Sequence, residues 1–141
     1  MDKLPFGRTL GALYRLTLGH YSDTMAKFGL CGIDGAFIYA LRDGALLQKE
    51  LADVLKIDKS NVTRRLKALE EKGYVRRTQK GRGKDLTISL TAAGTKLAPQ
   101  IDALYASWLD YLTEGLSEED IAHTLQVLTH MVERAGHHHA P

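Results

Sequence analysis

Apolar residues recur at intervals of three and four along most of this chain, which is the spacing that places them on one face of a helix. This spacing predicts helices at residues 6–27, 33–41, 48–55 and about 59–72. The last two are separated only by Lys56-Ile57-Asp58, and two helices joined by so tight a turn have helix-turn-helix geometry. Asp58 is the predicted N-cap of the fourth helix, and Gly73 is its predicted C-terminal stop.

Beyond Gly73 the apolar period changes from helical to two. Residues 74–79 and 85–90 have the length and alternation of strands and predict a hairpin around a basic, glycine-containing tip. Thr91 then caps a predicted fifth helix, and Ser117 opens a sixth that has acidic residues in its first turn. The pattern predicts a mainly α fold with a small β-hairpin.

Length and composition restrict the class of protein. With 141 residues, 44% of them hydrophobic, the chain is long enough for one globular domain with its own core. The single cysteine, Cys31, argues against a disulfide scaffold and favours a reducing compartment, the cytoplasm. No apolar run reaches the length of a membrane span, so no membrane partner is expected.

Positive charge is concentrated in the middle of the chain. Residues 48–85 contain twelve Lys or Arg against six acidic residues, whereas the whole chain has a net charge of only +2. A basic cluster of this kind attracts polyanions, of which nucleic acid is the commonest, although an ordinary solvated helix face gives the same count.

The fourth predicted helix carries the residue types that read DNA. Val62, Leu66 and Leu69 form an apolar stripe, which leaves the opposite face polar. A helix fits the major groove, where Asn pairs with adenine and Arg with guanine, and hydroxyl residues near a helix start suit phosphates. The predicted DNA-binding residues are Ser60, Asn61, Thr63, Arg64, Arg65 and Lys67, with Arg82 and Lys84 on the hairpin tip.

Several runs together resemble the MarR family of bacterial transcriptional regulators. They are Leu47-Gln48-Lys49-Glu50-Leu51-Ala52, Ile57-Asp58-Lys59-Ser60-Asn61-Val62-Thr63-Arg64, Leu69-Glu70-Glu71-Lys72-Gly73-Tyr74-Val75 and Leu90-Thr91-Ala92-Ala93-Gly94. The resemblance implies a winged helix-turn-helix protein with six helices that forms an intertwined homodimer, binds a pseudo-palindromic operator and acts as a ligand-responsive repressor. It also implies a small aromatic effector that loosens the grip on DNA.

The resemblance divides the single domain into regions. Residues 1–45 and 91–136 correspond to the helical dimerisation region and residues 46–90 to the winged DNA-binding region. Three histidines follow Gly136 and precede Ala140-Pro141, and this composition predicts a flexible tail at residues 137–141. One departure concerns the wing, because the family usually has Asp-x-Arg where this chain has Arg82-Gly83-Lys84. The acidic residue that normally orients the wing arginine is therefore missing.

Two other functions are compatible with this sequence. The exposed helix face would also suit a winged-helix protein-interaction module without DNA binding, and Cys31 would suit an oxidant sensor, although a lone cysteine is more often a small buried residue. The sequence offers no catalytic set, no metal-ligand spacing and no cofactor motif, so neither an enzyme nor a metal or cofactor site is predicted. The ligand-binding residues are not identifiable from the sequence.

Overall fold

The computed structural model describes residues 1–79 and 86–139, and within them the chain folds into six α-helices and a small antiparallel sheet. Its contacts divide it into two units, Met1–Asp102 and Ala103–Pro141. The helices are α1 (Leu4–Met25), α2 (Asp34–Leu41), α3 (Gln48–Leu55), α4 (Lys59–Glu71), α5 (Ala92–Leu112) and α6 (Glu118–His139), and the strands are β1 (Leu46–Leu47), β2 (Val75–Gln79) and β3 (Leu86–Leu90).

The helix boundaries follow the capping residues that the sequence predicts. The Asp58 carboxylate accepts a hydrogen bond from the Asn61 backbone N–H at 2.9 Å, and Thr91 Oγ1 accepts one from the Gly94 N–H at 3.1 Å. Ser117 Oγ does the same for Asp120 at 3.0 Å. Gly73 follows α4 with a φ of 83°, a left-handed conformation that glycine adopts without strain.

The sheet has one strand more than the sequence predicts. The hairpin strands pair antiparallel with Val75 opposite Leu90, as expected, but β3 is the central strand because β1 pairs with its other edge, with Leu46 opposite Ile88. A strand of two residues is too short to show the alternation of apolar and polar positions by which a strand is predicted. The extra pair fixes the entrance of α3 against the base of the hairpin.

The apolar stripe of α4 forms part of the core of the first unit. Val62, Leu66 and Leu69 are fully buried, together with apolar residues from α2, α3, the sheet and α5: Phe37, Ile38, Leu41, Leu51, Val75, Ile88 and Ile101. Burial of this stripe fixes which face of α4 remains outside. The helix therefore presents its polar side to solvent, as the pattern predicts.

The C-terminal end differs from the prediction of a tail beginning at residue 137. Helix α6 continues to His139, because a single glycine at position 136 is tolerated within a helix and no proline or second glycine follows it before residue 140. Cys31 also differs from the expectation of burial, since it is exposed. Among the described residues, no helix is both long and apolar enough to cross a membrane.

Candidate nucleic-acid interface

The outer face of α4 is polar and free of acidic side chains over its first two turns. Ser60, Thr63, Arg64 and Lys67 are exposed there, and Asn61 is half-buried beside them. We call these five residues the outer face of α4. Two hydroxyls, one amide and two cations provide donors for both base edges and phosphates on a surface one helix wide.

Side chains at the start of α4 are held by the capping carboxylate. Besides the backbone bond, Asp58 accepts hydrogen bonds from Ser60 Oγ at 2.8 Å and from Asn61 Nδ2 at 2.7 Å. The backbone N–H of Asn61 and then these two side chains lower the pKa of Asp58, because each donor stabilises the charged carboxylate. The cap therefore orders two of the predicted DNA contacts before any partner arrives.

The next turn of α4 is ordered by contacts along the helix and to α3. Arg64 Nη2 donates to Asn61 Oδ1, so the guanidinium lies along the outer face. Thr63 Oγ1 donates to the Lys59 carbonyl and accepts from Gln48 Nε2, both at 2.9 Å. The second contact ties the two helices of the helix-turn-helix together at an exposed position.

Arg65 is not part of the outer face, because it forms an ion pair with Asp34, and its contact with DNA stays a prediction. Its Nε and Nη2 donate to the two Asp34 carboxylate oxygens, each at 2.8 Å, and only 26% of the Arg65 side chain is exposed. The hydrogen bonds that Arg65 donates to the Asp34 carboxylate raise the pKa of Arg65. Position 65 lies three residues after Val62 and four before Leu69, so it borders the apolar stripe and points toward α2.

The base of the hairpin is joined to α4 by a pair that the sequence reading missed. Arg77 Nη2 donates to Glu70 Oε1 at 2.9 Å, and the Arg77 backbone N–H donates to Oε2 at 3.2 Å. The Arg77 side chain is the main cause of the lowered pKa of Glu70. The signal available in the sequence was an acidic residue near the end of α4 and a basic residue in the strand that follows. Two such residues are equally typical of a solvated surface, so the sequence alone does not predict their pairing.

The predicted wing contacts, Arg82 and Lys84, lie outside the residues that the structure describes. Within the described part, an open groove of about 350 Å³ lies between α3, α4 and β3, beside the outer face. Its lining residues are Gln48, Lys49, Ala52, Lys59, Val62, Thr63 and Leu86. No group of three His, Cys, Asp or Glu residues among the described positions is arranged to hold a metal ion.

Comparison with known sequences and structures agrees with this arrangement. The MarR family model matches residues 41–82, the segment that contains α3, α4 and β2. An uncharacterized HTH-type transcriptional regulator of Bacillus subtilis (strain 168), YwoH, is 29% identical over 107 residues, covering 75% of this chain and 78% of that protein. The match therefore extends well beyond the family segment.

Solved structures extend the similarity to nearly the whole chain. A MarR transcriptional regulator from Methanosarcina mazei Go1 has a TM-score of 0.84 at 26% identity, covering 96% of this chain and 92% of that one. A MarR family regulator from Listeria monocytogenes, solved with a 26-mer DNA, has a TM-score of 0.86 at 22% identity and covers 95% and 89%. The MepR–DNA complex of S. aureus has a TM-score of 0.84 at 21% identity and covers 92% and 97%. At these last two identities the likeness concerns the fold.

Proposed function

We propose that the chain is a member of the MarR family of winged-helix transcriptional regulators and that it binds a pseudo-palindromic DNA operator as a homodimer, with α4 of each protomer in a major groove. The outer face of α4 carries this proposal. Its exposed side chains are cations and hydroxyls, and the buried stripe of Val62, Leu66 and Leu69 prevents the helix from presenting another side. Solved relatives with this fold are described in complex with DNA.

The proposed contacts follow from the placement of each side chain. Arg64 is the proposed base-edge contact and Lys67 a proposed phosphate contact, because both are exposed cations on the outer face of α4. Ser60, Asn61 and Thr63 lie near the helix start, where backbone N–H groups and the helix dipole also favour phosphate. Arg82 and Lys84 remain proposed wing contacts.

The homodimer is supported by apolar side chains that a single chain leaves exposed. Helix α1 exposes Leu4, Phe6, Leu10, Leu13 and Tyr14, and α6 exposes Ile121, Leu125, Leu128 and Val132, with 64% of Leu125 accessible. Apolar residues repeated along one helix at this exposure indicate a protein interface. A two-fold dimer would present two copies of α4 to successive half-sites.

We further propose repression that a small aromatic effector relieves, with the cytoplasm as the place of action. The groove between α3, α4 and β3 supports an effector, because its size is within the range of small-molecule sites and Lys49 and Lys59 line it. An acidic aromatic compound would suit these two cations. A ligand there would lie against α4, the helix that the operator needs.

Selection of bound sequences from a random duplex pool tests the DNA-binding proposal. The purified protein is incubated with the pool at near-physiological salt, and its mass is measured by light scattering. We expect a dimer and an enriched palindrome with half-site centres about 10 base pairs apart. A folded dimer that enriches nothing would contradict operator binding and would leave the protein-interaction module as the better account.

A salt titration separates these two functions further. A protein that neutralises several phosphates loses affinity linearly in the logarithm of the salt concentration, with a slope of about −0.9 for each phosphate contact. We expect Lys67→Gln to reduce that slope by about one contact. An unchanged slope would remove Lys67 from the interface.

A further inference from the structure

Among residues 1–79 and 86–139, which the structure describes, Asp34 is the one charged residue whose side chain is completely buried. It is the first residue of α2, and its carboxylate accepts three hydrogen bonds. Two come from the Arg65 guanidinium at 2.8 Å and one from the Cys31 backbone N–H at 3.0 Å. Such a two-point pair fixes an orientation as well as a distance, because both donors lie in one rigid plane.

The Asp34 carboxylate lies at the end of a segment that packs directly on α1. We call residues 28–34 the connector. A Cβ atom on Gly32 would lie 2.6 Å from Ser22 Oγ and 3.0 Å from the Leu18 carbonyl oxygen, so the backbone of the connector touches α1 with no room for a side chain. The connector is therefore packed against α1 two residues before Asp34.

The connector also holds the far end of α4. Lys72 Nζ donates to the Gly29 carbonyl oxygen, and Tyr74 Oη donates to the Phe28 carbonyl oxygen at 3.2 Å. Together with Arg65, these contacts attach α4 to the connector at its middle and at its C-terminal end. Lys72 and Tyr74 lie just after Glu71, the last residue of α4, and neither belongs to the outer face.

We propose that the Asp34–Arg65 ion pair positions α4 relative to α1 and thereby sets the half-site separation that the dimer accepts. This inference rests on the proposed function, in which α1 contributes to the dimer interface and α4 reads DNA. In a two-fold dimer, any shift of α4 against α1 occurs in both protomers and changes the distance between the two reading helices. Arg65 is thus a positioning residue that acts through α4 and does not touch the operator.

A positioning role and a purely electrostatic effect of the ion pair predict opposite changes in operator affinity for Asp34→Asn. Asp34→Asn removes a negative charge and releases a guanidinium on the recognition helix, so electrostatics alone predicts tighter binding to every DNA. A positioning role predicts weaker binding to the operator and no loss on unrelated DNA. The ratio of the two affinities is therefore the informative quantity.

The experiment uses full-length Asp34→Asn and Arg65→Lys, which keeps the charge but loses the planar fork. Lys67→Gln is the matched control, because it removes a cation from the exposed side of the same helix. Affinities are measured for the selected operator, for an unrelated duplex, and for operators whose spacer is one base pair longer or shorter. Circular dichroism and light scattering establish that each variant is a folded dimer.

We expect Asp34→Asn and Arg65→Lys each to lower the ratio of operator to unrelated affinity at least about tenfold, which is the size of a lost base-pair match. We also expect them to flatten the preference for one spacer length. Lys67→Gln should instead weaken binding to both DNAs alike and leave the spacing preference intact. If Asp34→Asn does not fold, Arg65→Lys tests the inference alone, since its lysine retains an ion pair with the buried Asp34 carboxylate.

Folded variants that keep both the affinity ratio and the spacing optimum overturn the inference. A parallel loss on both DNAs for Arg65→Lys, with the spacing preference intact, also overturns it, because a phosphate contact behaves in this way. Wild-type protein that selects no operator at all overturns the proposed function itself. That failure is visible before any variant is compared.

Discussion

Replacement of Arg64 by Ala separates DNA recognition from folding most cleanly. The side chain is exposed, its contact in the free protein is with Asn61 on the same helix, and the buried stripe of α4 lies on the opposite side. A surface substitution of this kind changes the free energy of unfolding by less than about 0.5 kcal/mol. Any larger effect on operator binding must therefore arise in the interface.

The expected loss follows from the geometry of arginine on guanine. A guanidinium that makes two hydrogen bonds to one base edge contributes about 1–3 kcal/mol of discrimination. At about 1.4 kcal/mol for each factor of ten, Arg64→Ala should raise the Kd for the operator about 5- to 150-fold. Arg64→Lys keeps the charge without the fork, so it should lose most of the discrimination and little of the salt dependence.

Fluorescence anisotropy with labelled operators measures this prediction. The titrations compare the selected sequence with variants in which one base pair under α4 is changed, for wild type, Arg64→Ala and Arg64→Lys. Arg64→Ala should lose its base preference at one position of each half-site. It should therefore bind the selected sequence and the variants changed at that position with similar affinity. Operator binding within twofold of wild type would refute the role of Arg64, and equal weakening on every DNA would make it a phosphate contact.

Further predictions concern packing, pH and the hairpin. Gly94→Ala should destabilise the fold by about 2 kcal/mol in thermal unfolding, because its Cβ would clash with the Tyr74 carbonyl oxygen. Gly19→Ala has open space around its Cβ and should not destabilise the fold, so equal melting temperatures for the two variants would contradict this packing. The pKa of Asp58 is lowered in the folded state, so its contribution to stability is present above the ordinary carboxyl range and is lost as the pH falls through the folded-state pKa. Asp58→Asn still caps but does not titrate, so melting temperatures between about pH 2 and pH 6 should depend less on pH than in wild type, and identical profiles would contradict the cap. Glu70→Gln should speed hydrogen exchange in β2 without affecting α1, because it weakens the pair with Arg77, and unchanged protection would show that the pair does not hold the hairpin.

The helix-turn-helix was predictable from local signals, whereas the ion pair of Arg65 with Asp34 was not. Asp58, Gly73 and Thr91 act within a few residues of their own positions, so the sequence alone places the helix ends they define. Arg65 borders the apolar stripe, and its direction depends on Asp34, which lies 31 residues earlier in the chain. No local sequence pattern in either segment indicates this pairing.

Three other features were similarly hidden from sequence reasoning. Strand β1 has two residues and forms only because β3 offers a free edge. Cys31 is exposed, and its backbone N–H donates to the Asp34 carboxylate. Helix α6 continues past Gly136 to His139, where the composition suggested a tail.

Exposure of Cys31 makes the oxidant-sensor alternative simple to examine. Mass spectrometry after mild peroxide treatment detects sulfenic acid or a disulfide between subunits. Neither product on a folded dimer would remove that alternative. Either product, together with release of the operator, would support it.

Methylation interference on the selected operator tests most directly whether α4 reads the major groove of two half-sites. Methylation of guanine N7 blocks a major-groove acceptor, whereas methylation of adenine N3 blocks a minor-groove one. We predict that the guanines whose N7 methylation prevents binding fall in two clusters about one helical turn apart. In each cluster, interference at the guanine contacted by Arg64 should disappear with Arg64→Ala. Binding that tolerates N7 methylation throughout the operator would contradict recognition by α4.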